Sequence, residues 1–357
     1  IRDATPHVLI TYRDDQGVDL PSFKVFVNAV EQTSLFTVGV DAAEATLPVA
    51  LPDGENIITA EIRDNVGHRT EAVSRFWVDT LPPTGHIDEP GSITRNPTPS
   101  VVVTYVDPGI APSGVDPASV RVFVDGQDRT DLFAVGSDRA TGVLQLDPPL
   151  ADGLHTVRVA LADRAGNDGE IVGSFTLDTV PPQLAVTAPA LDAFTNDPTP
   201  SLRVVYPDPD GVGARPDTLR VYLKRGDEPE VEITPYFTAG ASEALGVVPD
   251  ASALSDATYH LRAEVEDQAG NLATVTSTFD VDTVAPTYSV PTPADTAFVP
   301  TTTPSFRIRY QDDRSGVDTQ ALVFTIDGVN LTQRLTREAS EASGTLLPED
   351  ALSQGSH

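Results

Sequence analysis

Residues 161–182 read LADRAGNDGEIVGSFTLDTVPP. They place Asp163 fifteen positions before Asp178, with Gly-Asn close behind the first aspartate and Pro-Pro close behind the second. The frame recurs at 62–83, IRDNVGHRTEAVSRFWVDTLPP, where Asp64 precedes Asp79 by fifteen. It recurs again at 265–286, VEDQAGNLATVTSTFDVDTVAP, where Asp267 precedes Asp282 by fifteen. Three copies at one spacing define an internal repeat, and the repeat unit decides the architecture.

A second anchor, Thr-Pro, fixes the length of the unit. It stands at Thr5, Thr98, Thr199 and Thr303; seven residues on come Tyr12, Tyr105, Tyr206 and Tyr310, and two further on Asp14, Asp107, Asp208 and Asp312. The 357 residues therefore hold four copies, expected as domains at 1–79, 80–178, 179–282 and 283–357. The first copy starts at its Thr-Pro strand, without the strand that precedes this anchor elsewhere. The fourth stops at LSQGSH, where the second reads LADGLH, so its last two strands are missing from the sequence. Both ends read as those of a segment of a longer array; strands donated by a neighbouring subunit are the competing reading.

Within each copy the apolar residues alternate. Val8, Ile10 and Tyr12 skip every second position, as do Val101, Val103 and Tyr105, then Leu202, Val204 and Tyr206, then Phe306, Ile308 and Tyr310. This is the period of a strand with one buried face. SVRVFVDG and ALVFTIDG end in Asp-Gly, a hairpin signal. Phe76/Val78, Phe175/Leu177 and Phe279/Val281 alternate into the closing Asp-Thr. No helical period of useful length appears. About seven short strands per copy predict an all-β chain of antiparallel β-sandwiches in tandem.

The DxAGN…VDTxxP ending, the SGVD loop and the VFVDG strand together resemble the tandem bacterial immunoglobulin-like (Big-type) domains of large extracellular adhesins and surface proteins. The likeness extends over essentially the whole chain and implies that the fold is tandem Ig-like antiparallel β-sandwiches in an elongated array. It implies an extracellular or cell-surface location and a structural role as an adhesin stalk or part of a filament. It also implies neighbouring Ig-like domains of the same longer chain as partners, with surface or filament proteins as further ones, and calcium near the linkers.

Composition bounds the alternatives. With 53 acidic and 23 basic residues the net charge is −30, which repels phosphate backbones, so nucleic acid is not an expected partner. Cysteine and methionine are absent, which excludes disulfides and thiolate metal sites. No apolar run reaches the roughly eighteen residues a membrane span needs. No zinc-protease, nucleophile-elbow or phosphate-loop motif appears. Acidic pairs copied into every repeat do not read as one catalytic pair, so an enzyme is not expected. His155 and His357 share one turn position, filled by Tyr259 in the third copy, which marks that position as structural. Trp77, the single tryptophan, has an outward phase and is expected to pack on a neighbouring domain. An adhesive module for glycan or protein, or a spacer on a secreted enzyme, are the alternative roles. The longer segment LKRGDEPEVEITPYF of the third copy carries Arg225-Gly226-Asp227, by itself weak evidence for adhesion.

In an Ig-like strand order, the YxD…GVD segment and the DxAGN turn both lie at the end of the sandwich where the chain arrives, beside the preceding copy's VDT. The candidate metal ligands follow. At the junction into the second copy they are Asp79, Asp107, Asp116, Asp163 and Asn167. Into the third they are Asp178, Asp208, Asp210, Asp267 and Asn271, and into the fourth Asp282, Asp312, Asp313 and Asp318. Calcium takes about six to eight oxygen ligands, and carboxylates that converge without a cation repel one another. Two other readings stay open: another cation, or aspartates that only form turns by bonding their local backbone. The fifteen-residue spacing is the length of the last strand plus its turn, which carries an aspartate from one end of the sandwich to the other.

Overall fold

The alternation of the second repeat resolves into two facing sheets. In the computed structural model, which describes residues 1–357, the strand Ser100–Val106 buries Val101, Val103 and Tyr105 and turns Val106 to solvent. One sheet runs Phe133–Val135, Arg139–Val143, Ser100–Val106, Thr84–Glu89. The other runs Gln127–Asp128, Arg121–Val124, Gly153–Ala162, Asp168–Leu177, Ile93–Thr94. Every pairing is antiparallel except that of Ile93–Thr94 with Thr176–Leu177, which is parallel. The first strand thus leaves one sheet and joins the other. Val101, Val103 and Tyr105 meet Val122, Val124, Val157, Val159 and Phe175 between the sheets. This is the Ig-like sandwich that the sequence predicts.

The chain divides into two compact units, Ile1–Val180 and Pro181–His357, and each contains two apolar cores. In the second unit the third repeat has the same strand order, with Leu202, Val204, Tyr206, Val221, Leu261 and Phe279 in its core.

In the first repeat no strand flanks His7–Thr11 on its outer side. Ile1 nevertheless substitutes for part of the absent strand: its carbonyl accepts the Asp79 N–H at 2.9 Å, as the Thr94 carbonyl accepts that of Asp178 at 3.0 Å. The fourth repeat keeps one four-stranded sheet, but its second sheet is only the hairpin Thr325–Ile326/Val329–Asn330. Its core cluster is accordingly small, Ile308, Tyr310, Leu335 and Ala342.

The repeated tyrosine has a definite task. Each hydroxyl donates to a carbonyl in the turn that leads into the strand pairing with its own: Tyr12 to Gly39, Tyr105 to Gly136, Tyr206 to Gly240 and Tyr310 to Glu338. Burial, with Asp138 nearby, pushes the Tyr105 hydroxyl up to about 12. Trp77 differs from expectation. It lies on the outward face opposite Glu55 and keeps 52% of its surface exposed rather than packed under a neighbour.

Candidate metal centre

Three strands end together at the junction between the first and second repeats. Arg69–Val78 delivers Asp79, Ser100–Val106 delivers Asp107, and Gly153–Ala162 delivers Asp163. These residues are 4%, 7% and 3% exposed, and one carboxylate oxygen of each lies within 4.8 Å of the others. The fifteen-residue spacing has the origin expected. Asp163 opens the turn at one end, and the ten-residue strand Asp168–Leu177 carries the chain to Asp178 at the other.

Most of these oxygens are held by backbone donors. The Ser113 N–H donates to Asp79 Oδ2 at 2.7 Å, and the Leu81 N–H to Oδ1 at 3.4 Å. The Gly114 N–H donates to Asp107 Oδ2 at 2.6 Å. Asp163 Oδ1 accepts from Gly166 and Asn167 N–H at 2.7 and 2.9 Å. Asn167 Nδ2 donates to Asp163 Oδ2 at 2.7 Å and to the Asp79 carbonyl at 2.8 Å, tying the linker to the last turn. Gly166 takes φ +94°, so the glycine of AGN is required by the turn.

One atom is left over. Asp107 Oδ1 is buried and has no hydrogen-bond partner. Burial pushes the Asp107 carboxyl above its ordinary range, the charges of Asp79 and Asp163 add to this, and the Gly114 N–H opposes it. Burial also acts to raise Asp79, but hydrogen bonds from Ser113 and Leu81 bring it below the usual range. At 4.8 Å two like charges cost about 3–4 kcal/mol at an effective dielectric constant of about 20. A hard divalent cation binds oxygens at about 2.3–2.6 Å, so ligands on opposite sides of it lie about 5 Å apart. The three carboxylates and the unpartnered Asp107 oxygen fit such an ion.

The remaining candidates occupy different settings. Asp116 caps a short 3-10 turn by accepting the Ala118 N–H at 3.1 Å and is not in the carboxylate group. Asp178 ends its strand within the first unit, where its carboxylate accepts the Val180 N–H at 3.1 Å. In the second unit one oxygen each of Asp208 and Asp267 lie within 4.8 Å. Asp208 accepts the Gly213 N–H at 2.7 Å. Asn271 bonds Asp267 through N–H and Nδ2 at 2.9 and 2.7 Å, as Asn167 bonds Asp163. Asp210 is exposed. At the junction between the third and fourth repeats, Asp282 accepts the Ser315 N–H at 2.9 Å and Asp312 the Gly316 N–H at 2.8 Å. Hydrogen bonds from Ser315 lower the Asp282 carboxyl. Asp313 and Asp318 are exposed, and Asp318 accepts the Gln320 N–H at 2.9 Å.

The sequence offers the SGVD loop as the source of an aspartate ligand, Asp116 or Asp318. In the structure its Ser-Gly amides matter more: Ser113 and Ser315 each reach the incoming linker aspartate, and Gly114 and Gly316 each reach the tyrosine-strand aspartate. The recurrence of SG at 113–114 and 315–316 was the available signal.

No family model matches the chain, and no curated protein matches it in sequence. Among solved structures, four tandem repeats from the extending region of a large adhesion protein are similar at 18% identity, covering 86% of this chain and 77% of that one with a TM-score of 0.31. A bacterial ice-binding adhesin is similar at 17% identity, 78% and 92% coverage and a TM-score of 0.34. Domains A168–A170 of titin are similar at 11% identity, 78% and 93% coverage and a TM-score of 0.35. The superpositions are loose, and the fold stands on the strand order and pairings described above.

Proposed function

We propose that this chain is a non-catalytic stalk: tandem Ig-like sandwiches, divided as the repeat anchors divide them, that space and stiffen an extracellular bacterial surface protein or filament. Calcium at the repeat junctions would act as the stiffener. The observation that carries the reading is the buried, unpartnered Asp107 Oδ1 beside Asp79 and Asp163. Asp79 belongs to the outgoing linker of one repeat, whereas Asp107 and Asp163 belong to the next, so an ion held by all three would clamp the two repeats together. A bound cation supplies the positive charge that lets the three carboxylates share one site. Asn167, Ser113 and Gly114 orient the oxygens.

Isothermal titration of the full chain with calcium, after chelator treatment, tests this. Expected is saturable binding that weakens by about tenfold or more in Asp107→Asn, equivalent to about 1.4 kcal/mol. Absence of binding, or binding indifferent to Asp107, would leave the aspartates as turn formers and solubilising charge.

A further inference from the structure

One hairpin has a two-residue turn in three repeats and a longer one in the third repeat. Two residues turn the chain in each of the three: Asn28-Ala29, Asp125-Gly126 and Asp327-Gly328, flanked by paired strands. The first residue of each turn also works for the frame. Asn28 accepts the Ile57 N–H at 2.9 Å, Asp125 accepts the Thr156 N–H at 2.8 Å, and Asp327 meets His357 Nδ1 at 2.6 Å.

In the third repeat the last pair is Leu223 with Val231, so seven residues, Lys224 to Glu230, replace two. Lys224 and Arg225 still pair with His260 and Tyr259, and Glu230 meets the Arg262 guanidinium at 2.9 Å, so residues 226–229 form the tip beyond the sheet. From Arg225 to Glu230 every residue is exposed. The Glu228 N–H returns to the Arg225 carbonyl at 2.9 Å, closing a tight turn with Gly226 and Asp227 at its apex. Gly226 takes φ +49°, and its N–H is anchored to the Thr258 carbonyl at 3.0 Å. A positive φ at the first apex position favours glycine strongly. The Asp227 carboxylate has no hydrogen bond or ion pair. Arg225 meets only Glu228, at 3.3 Å in an exposed pair, which holds the guanidinium weakly.

We infer that the Arg225-Gly226-Asp227 turn is a recognition tip for a cell-surface receptor whose site binds the Asp227 carboxylate through a divalent cation and the Arg225 guanidinium through acidic side chains. Carboxylates are natural ligands of hard cations, and guanidinium groups pair with carboxylates in fixed geometry. Here both residues flank one glycine whose N–H is anchored to the Thr258 carbonyl at 3.0 Å, which reduces the ordering cost of binding. The inference requires only the exposed turn, so it stands or falls separately from calcium at the junctions.

The test is surface plasmon resonance of the full chain over an immobilised integrin ectodomain that reads Arg-Gly-Asp peptides, at constant magnesium and manganese. Expected is saturable binding that a linear Arg-Gly-Asp peptide competes away and that Asp227→Glu weakens by about tenfold or more. Glu228→Gln frees Arg225 and should retain binding. Both substitutions are in exposed loop residues, so melting should be unchanged. No binding, or binding that Asp227→Glu leaves intact, overturns the inference.

Discussion

His155 reaches Asp125 through Nδ1 at 2.7 Å while its Nε2 lies 2.8 Å from the Ala151 carbonyl oxygen. Neither acceptor carries a proton of its own when Asp125 is ionised, so satisfying both contacts requires the doubly protonated ring. Burial alone would lower the His155 pKa, but Asp125 and the Ala151 carbonyl raise it overall; Asp125 is lowered by the same contact and by Thr156, against its own burial. The sign follows. Stability from the raised histidine is fully present below its unfolded value of about 6.5 and is lost as pH rises through the folded value. Stability from the lowered aspartate is present above about 3.9 and is lost as pH falls through its folded value. The pair therefore supports the second repeat best between about pH 4 and 6.5. Ring NMR of the full chain should show His155 holding its proton above pH 6.5, and Asp125→Asn should bring that titration down.

The linker threonines make a second repeated device. Thr80 donates through N–H and Oγ1 to Asp53 at 3.1 and 3.0 Å, Thr179 to Asp152 at 3.1 and 3.0 Å, and Thr283 to Asp256 at 3.0 and 2.8 Å. Each pair fixes how the chain leaves its own sandwich. The pairs are exposed, so Asp53→Ala should cost only about 0.5–1.5 kcal/mol. Amide exchange of Thr80 should then accelerate by a few-fold to about tenfold, with exchange in the core strands unchanged. Protection that stays the same in the variant would show that the linker is held elsewhere.

Gly142 faces Phe133 across adjacent strands, and a Cβ added there would sit 2.7 Å from the Leu132 carbonyl oxygen and 2.9 Å from the Phe133 ring. Gly246 and Gly344 have the same crowded surroundings in the third and fourth repeats. The contact is to backbone and to a packed ring, so neither can yield cheaply. Gly142→Val should destabilise the second repeat by about 1–3 kcal/mol, read as a lower urea midpoint for that repeat by tyrosine fluorescence. A midpoint unchanged by valine would mean that the 3-10 turn at Thr130–Leu132 shifts freely.

Strand alternation and the aspartate and tyrosine frames were legible because they follow from period two and from repetition. The Tyr105 hydroxyl contact with Gly136 was not, since it joins residues 31 apart through a turn of no distinctive composition. Gly142 looked like any strand glycine, because its constraint comes from the neighbouring strand. The convergence of Asp79, Asp107 and Asp163 could be placed from topology. That Asp107 Oδ1 lacks a donor whereas Asp116 has its own depends on backbone amides whose directions only three-dimensional structure fixes.

The same atom gives a prediction with an inverted sign. In chelator, Asp107 adds a third carboxylate to a buried group and leaves one oxygen without a donor, so Asp107→Asn removes a charge and offers an amide donor to Asp79 and Asp163. That variant should then be more stable than the parent, by about 1–3 kcal/mol. In calcium the order should reverse, because the parent gains ion-binding free energy that the variant has lost. Thermal unfolding of both proteins in both conditions decides the matter. Crossing of the two orders would identify a cation site. A variant less stable in both conditions would instead mean that the Gly114 N–H bond to Asp107 is worth more than the repulsion it opposes, and that the aspartate serves the loop.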